Sequence, residues 1–216
     1  MTVHDRDNNH LTTNSDMTAQ ERKREAIVAA AADLFLDSGY SGVTLDAVIS
    51  RVGGSKRTLY AYFGDKDGLF AAIVNRLCEE IVTPLTRLVL VGRPLREALG
   101  ATAQTFFDVL LAPRTLALHR LVVAEATRAP EAARTFFLAA PTTSYRCLAE
   151  YFKWASEVGI VTPGDPQQRS RIFLDALTAD FQLRCLLGLL DSPTQMERDE
   201  RMNETIAIFM KGIAAS

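Results

Sequence analysis

With 216 residues, 48% hydrophobic and 23% charged, the chain has the amino-acid usage of an ordinary folded protein, long enough for a sizeable buried core. A formal net charge of −2 excludes a surface coated in positive charge, so any contact with nucleic acid must be confined to a local patch. The three cysteines are far apart and form no C-x-x-C pair, which argues against a disulfide framework or a thiolate zinc site and fits a reducing cytoplasm.

Residues 1–19 are polar and lack the apolar stretch of a signal peptide, so a disordered tail is expected there. His4 and His10 fall in that leader, which accounts for them without a metal. No run of about 18 apolar residues occurs, and no membrane span is expected. Beyond the tail the pattern is helical throughout. Ile27, Ala30, Ala31, Leu34 and Phe35 repeat at the spacing of one helical face, and Gly39 stops that helix. Thr44 reads as an N-cap, with Leu45, Val48, Ile49 and Val52 as the inward stripe of a second helix. After the Gly53-Gly54 break, Ser55 caps a short third helix whose inward pair is Leu59 and Phe63. Asp65 caps a longer fourth helix with Leu69, Phe70, Ile73, Val74 and Leu77 on its stripe.

Proline punctuates the rest. Pro84 falls near the end of the fourth helix, and Pro94, Pro113 and Pro130 each read as a first-turn proline opening a new one. Pro141 starts a helix carrying Tyr145, Leu148, Tyr151, Phe152 and Trp154. A turn-rich break from Gly159 to Pro166 precedes an apolar helix over residues 167–190. Pro193 opens the last helix, which reaches residue 212. No strand or internal repeat is read, and the fold class is all-α.

The third helix poses a charge problem. Lys56 and Arg57 open it and Lys66 opens the next, although a helix N-terminus carries partial positive charge and favours anions. Residues 51–66 hold Arg51, Lys56, Arg57 and Lys66 against Asp65 alone. With Leu59 and Phe63 pointing inward, about 100° per residue places Arg57, Thr58 and Ala61 outward, flanked by Tyr60 and Tyr62. Cations at helix N-termini make sense when both face the same external phosphate. A helix, a two-glycine turn and a short second helix form a helix-turn-helix, whose second helix enters the DNA major groove. Lys66 is then expected to grip the DNA backbone beside Lys56 and the two tyrosines. Arg57 is expected to read a base edge, because its fork matches guanine O6 and N7. Each residue taken singly also suits an ordinary surface helix.

The stretch LFLDSGYSGVTLDAVISRVGGSKRTLYAYFGDKDGLFAAIV resembles the DNA-binding domain of the TetR family of transcriptional regulators, over about residues 20–75. By position, the resemblance implies DNA contacts from Thr44, Ser55, Lys56, Thr58, Tyr60, Tyr62 and Lys66. Gly54 departs from the apolar residue usual in the family, and Arg57 from a glycine or other small residue. The segments RLVVAEATRAPEAARTFF and DALTADFQLRCLLG are similar to the C-terminal domain of AefR-like and AcrR-like members. The resemblance implies a helix-turn-helix domain over residues 20–66 and a ligand-binding and dimerisation domain over 67–216.

Large apolar side chains in the middle helices suit an apolar pocket with a few polar orienters. The candidates are Phe106, Phe107, Leu110, Leu116, Phe136, Phe137, Tyr145, Tyr151, Phe152, Trp154 and Phe173, with His119 and Glu125 as orienters and Gln104 and Arg120 as further possibilities. Each aromatic also suits a packed core. His119 and Glu125 are six residues apart and do not share a helical face, so they are no metal pair. The last two helices carry more apolar surface than a terminal pair needs. Leu177, Phe181, Leu187, Ile206, Phe209 and Met210 are the candidates for a homodimer interface, unless they cover the chain's own core. A two-fold dimer would meet a pseudo-palindromic operator on double-stranded DNA.

The expected activity is that of a sequence-specific repressor released by a small lipophilic effector, with no cofactor and no metal. The rivals are a helical scaffold that does not bind DNA and an all-α enzyme. Against the enzyme, the chain lacks H-E-x-x-H, G-x-S-x-G and a nucleotide-binding glycine loop.

Overall fold

The computed structural model describes residues 18–214, leaving the side chain of Ala179 aside. Residues 1–17 of the tail expected over 1–19, with His4 and His10, lie outside the described residues. Thr18 and Ala19 do not belong to it, because they start the first helix. Ten helices are described, with no strand among the described residues beyond an isolated antiparallel bridge between Val161 and Ala214.

Side-chain caps begin each of the first four helices. In α1 (Ala19–Gly42) the Thr18 hydroxyl accepts from the Glu21 N–H at 3.2 Å, and the Glu21 carboxylate accepts from the Thr18 N–H at 2.7 Å. Gly39, at φ 69°, breaks the helical path inside that span, where the sequence places the stop. Thr44 caps α2 (Leu45–Val52), Ser55 caps α3 (Lys56–Phe63) and Asp65 caps α4 (Lys66–Thr86). A helix of eight residues is marginal alone. What holds α3 is Leu59, its one buried residue, with Phe63 packed on the same core.

The remaining helices are α5 (Leu95–Leu110), α6 (Pro113–Glu125), α7 (Pro130–Ala139), α8 (Pro141–Glu157), α9 (Pro166–Leu186) and α10 (Gln195–Ile213). Pro113, Pro130 and Pro141 occupy the first turn, where the missing N–H costs nothing. Pro94 instead stands at the N-cap of α5, and Pro193 precedes the Thr194 cap of α10. The apolar run Leu186–Leu190 does not extend α9 as its composition suggests. Arg120 donates to the Leu186 carbonyl at 3.0 Å and also to that of Cys185, and Gly188 turns away at φ 71°.

Two apolar cores organise the molecule. One joins α1–α4 to Leu118, Leu121 and Val122 of α6 and to α7; the other gathers α5, α8, α9 and α10 around Phe107, Tyr151, Phe152 and Phe173. Helix α4 runs from the first core, through Leu69, Phe70, Ile73, Val74 and Leu77, toward Leu85 in the second. The expected division between residues 66 and 67 therefore cuts the first turn of α4, whose whole N-terminal half packs with α1–α3.

Candidate nucleic-acid interface and interior cavity

The α2–α3 pair is anchored from behind and open in front. Val48 of α2 and Leu59 of α3 are buried, and the Arg24 guanidinium lies 5.1 Å from the centre of the Phe63 ring. On the opposite side Arg57 and Ala61 are exposed and Tyr60 is 51% exposed. Thr58 is half-buried: its N–H donates to the Ser55 hydroxyl at 3.2 Å, and the two hydroxyls lie 3.1 Å apart. Tyr62 is half-buried with its ring edge-on to Phe63. Thr44 accepts from the Ala47 N–H at 3.1 Å, at the start of α2.

The four cations of this stretch divide into two free and two engaged. Arg51 and Arg57 make no ion pair with the described residues. Lys56 Nζ lies 2.9 Å from Asp46, one helix away, whose hydrogen bond and charge raise the lysine pKa. Both partners are exposed, so water and salt screen the pair and a phosphate can take its place. Lys66 lies 4.1 Å above the centre of the Tyr40 ring, a cation–π contact. Burial lowers its pKa, and the charge of Arg128 lowers it further. The Tyr40 hydroxyl donates to Asp67, while the Arg128 guanidinium lies 3.4 Å from the centre of the same ring and 3.4 Å from Asp67. Sequence periodicity could not have found Arg128, because it reaches α4 from the α6–α7 turn.

A cavity of about 280 Å³ opens between α5, α6, α7, α8 and α9. Of the expected lining residues, Phe106, Leu110, Phe136, Phe137, His119 and Tyr145 do line it. The others do not. Phe107, Leu116, Tyr151, Phe152 and Phe173 are filler of the second core, and the Tyr151 hydroxyl donates to the Arg93 carbonyl. Trp154 packs on Tyr151, and Glu125 holds Arg128 at 2.8 Å. Gln104 bonds Asp108 along its own helix, and Arg120 caps α9. The reason is one of facing: α5, α8 and α9 are apolar on more than one side, and composition does not say which side meets the void.

The polar groups of the wall come from distant parts of the chain. The Tyr145 hydroxyl on α8 donates to Asp175 on α9 at 3.0 Å; burial first, then that bond, pushes the tyrosine pKa up to about 12. Gln182 Nε2 lies 3.2 Å from His119 Nδ1, and Phe136 meets the imidazole edge-on at 5.3 Å. Burial lowers the His119 pKa, so the ring is neutral and the glutamine amide sets its tautomer. Sequence reasoning missed Asp175 and Gln182. The segment that contains them was legible as an apolar helix and by its family resemblance, and neither signal marks which polar side chains meet a void.

The expected dimer residues also divide. Leu177, Phe181 and Ile206 are buried in the chain's own core, and Phe209 packs its ring on Phe173 at 5.0 Å. Met210 is half-buried against that core, while Leu187 is 62% exposed. The exposed apolar side of α9 instead carries Ile172 and Leu183 with Leu187, and Ile208 is exposed on α10.

Residues 97–212 match the family model for the C-terminal domain of the AefR-like transcriptional repressors, and residues 27–73 match that of the tetR family of bacterial regulatory proteins. The chain is 29% identical over 91 residues to the HTH-type transcriptional activator FasR of Mycolicibacterium smegmatis, a match covering 42% of either chain. It therefore spans less than half the length of that relative. With YvkB of Bacillus subtilis, an uncharacterized HTH-type transcriptional regulator, it shares 23% identity over 197 residues, covering 88% of this chain and 96% of that one. The solved structure of the flavonoid-responsive regulator FrrA is similar at a TM-score of 0.77 and 29% identity, over 89% of this chain and 97% of that one. A TetR-family regulator structure from Mesorhizobium loti has a TM-score of 0.78 at 23% identity, over 92% of this chain and 100% of that one.

Proposed function

The chain belongs to the TetR family of bacterial transcriptional regulators and is a DNA-binding regulator, and from that premise we propose that it is a repressor released from its operator by a small lipophilic effector. The observation that carries the reading is the position of α6. One part of this helix packs in the core that holds α1–α4, while Thr115 and His119 line the cavity. A molecule settling against His119 therefore pushes on the helix that braces the DNA-reading half. It shifts the equilibrium only by the difference in its affinity for the DNA-binding and released states. FrrA, which answers to flavonoids, supports an aromatic effector.

On the DNA side, Arg57 reads the base edge, and Thr58, Tyr60 and Tyr62 flank it. Thr44, Ser55, Lys56 and Lys66 hold the phosphates, the two lysines exchanging Asp46 and Tyr40 for the backbone. The active form is a homodimer joined through α9 and α10, acting in the cytoplasm where its DNA is. No helix among the described residues is long and apolar enough to cross a membrane.

Selection of bound DNA from a random pool tests the reading. The full chain should enrich an inverted repeat, and Arg57→Ala should lose preference at one base pair per half-site, at a cost of about 1–3 kcal/mol. A pool with no enriched motif would sink the assignment. Uniform weakening across all sequences would move Arg57 to the phosphates.

A further inference from the structure

We propose that the cavity selects an aromatic cation, with the positive end at Asp175 and the ring system between Phe106 and Phe136. The inference rests on reading this cavity as the effector site. Its wall holds one carboxylate, Asp175, and no lysine or arginine. His119, the remaining basic group, is half-buried, and the burial that lowers its pKa keeps it neutral, so it neither repels a cation nor binds an anion through charge.

The hydrogen-bonding inventory points the same way. The Ser144 hydroxyl spends its proton on the Ala140 carbonyl at 2.9 Å, and Thr178 spends its own on Leu174 at 3.1 Å. Tyr145 spends its proton on Asp175. Each of these oxygens therefore turns lone pairs, not protons, toward a guest. A carboxylate guest would meet the like charge of Asp175, with only Thr115, the His119 Nε2–H and the second Gln182 N–H left to donate; an ammonium meets that carboxylate, these lone pairs and the aromatic rings of the wall.

Charge beyond the wall does not reverse this preference. Arg171, one helical turn before Asp175, places its guanidinium 5.6 Å from the centre of the Tyr145 ring, a residue of the wall. It works against the guest. A second hollow shares Ile81, Val109 and Thr115 with the cavity and adds Glu80, Asp108 and Arg114. There Arg114 is held by Asp33 at 2.8 Å and by Glu80 at 3.3 Å, and Asp108 by Arg198 at 3.3 Å. That side adds no unpaired cation.

The test is calorimetric titration of the full-length protein with three biphenyl compounds, differing only in a terminal trimethylammonium, tert-butyl or carboxylate group. The ammonium should bind about tenfold more tightly than its uncharged isostere, and the carboxylate most weakly. Asp175→Asn should remove the ammonium's advantage while leaving the tert-butyl compound within about twofold. Arg171→Gln should increase that advantage. Equal or tighter binding of the carboxylate, an unchanged ranking in Asp175→Asn, or no binding by any of the three would overturn the proposal. A parallel DNA-release assay separates the two readings. Tight ammonium binding that leaves DNA bound would sink effector release alone, whereas release by the carboxylate would sink charge selection alone.

Discussion

A Cβ built on Gly68 would meet the Phe63 carbonyl oxygen at 1.9 Å, far inside any real contact. The end of α3 thus lies directly on the first turn of α4, and only a residue without a side chain lets them touch. The Gly68 N–H also donates to the Asp65 cap at 2.8 Å, so the same residue closes the turn that aims the short helix. Gly68→Ala should destabilise the protein by about 1–3 kcal/mol, since the obstacle is backbone and cannot rotate away. Gly100→Ala, in open space on α5, should instead stabilise by about 0.5–1 kcal/mol. Chemical denaturation of both variants checks the pair; equal effects would mean that the α3–α4 contact is not tight. At this scale the caps were legible, because Thr44, Ser55 and Asp65 each bond a backbone N–H three residues on. The lysine partners were not. Asp46 and Tyr40 stand ten and 26 residues before Lys56 and Lys66 in the chain, and no local rule pairs residues that far apart.

At the scale of elements, α6 packs into both apolar cores, and arginines fasten it at three points. Arg114 near its start joins Asp33 of α1 and Glu80 of α4; Arg120 caps α9; Arg128 just past its end reaches Tyr40 and Asp67. Glu80 also takes Arg76 at 2.9 Å, and Arg76 pairs with Glu25, so the Arg114 tie belongs to a network spanning α1, α4 and α6. The groups are about half-exposed, which keeps each pair weak and sensitive to salt. Arg114→Met should cost about 1 kcal/mol at low ionic strength, and most of that difference should vanish in 1 M salt, where the Debye length is about 3 Å. Thermal melts of both proteins at the two ionic strengths decide it. A salt-independent loss would show that packing, not charge, fastens α6. Helix existence was readable from periodicity and proline placement. The end of α9 was not, because an arginine on another helix caps it.

For the proposed homodimer to present two recognition helices to one duplex, the exposed side of α9 is the surface we assign to the second copy. Positions 172, 176, 183 and 187 fall within about 60° of one another at 100° per residue. Ile172, Leu183 and Leu187 are there 53%, 57% and 62% exposed, with Ile208 of α10 at 60%. The sequence reading placed the interface on α9 and α10 but named residues that mostly face the chain's own core, because α9 is apolar both toward that core and toward solvent. Leu177 and Phe181 lie more than 100° around from Ile172, on the inner side. Leu183→Glu should therefore leave the monomer folded, since the side chain makes no core, while placing like charges across a two-fold contact. The expected result is a monomer by light scattering, with unchanged helical circular dichroism and greatly weakened binding to an inverted repeat. Binding should fall because one recognition helix at a time forfeits the gain from linking two half-sites. A variant that stays dimeric would move the interface off this stripe. A monomer that still held the full repeat as tightly as the dimer would break the link between pairing and operator recognition.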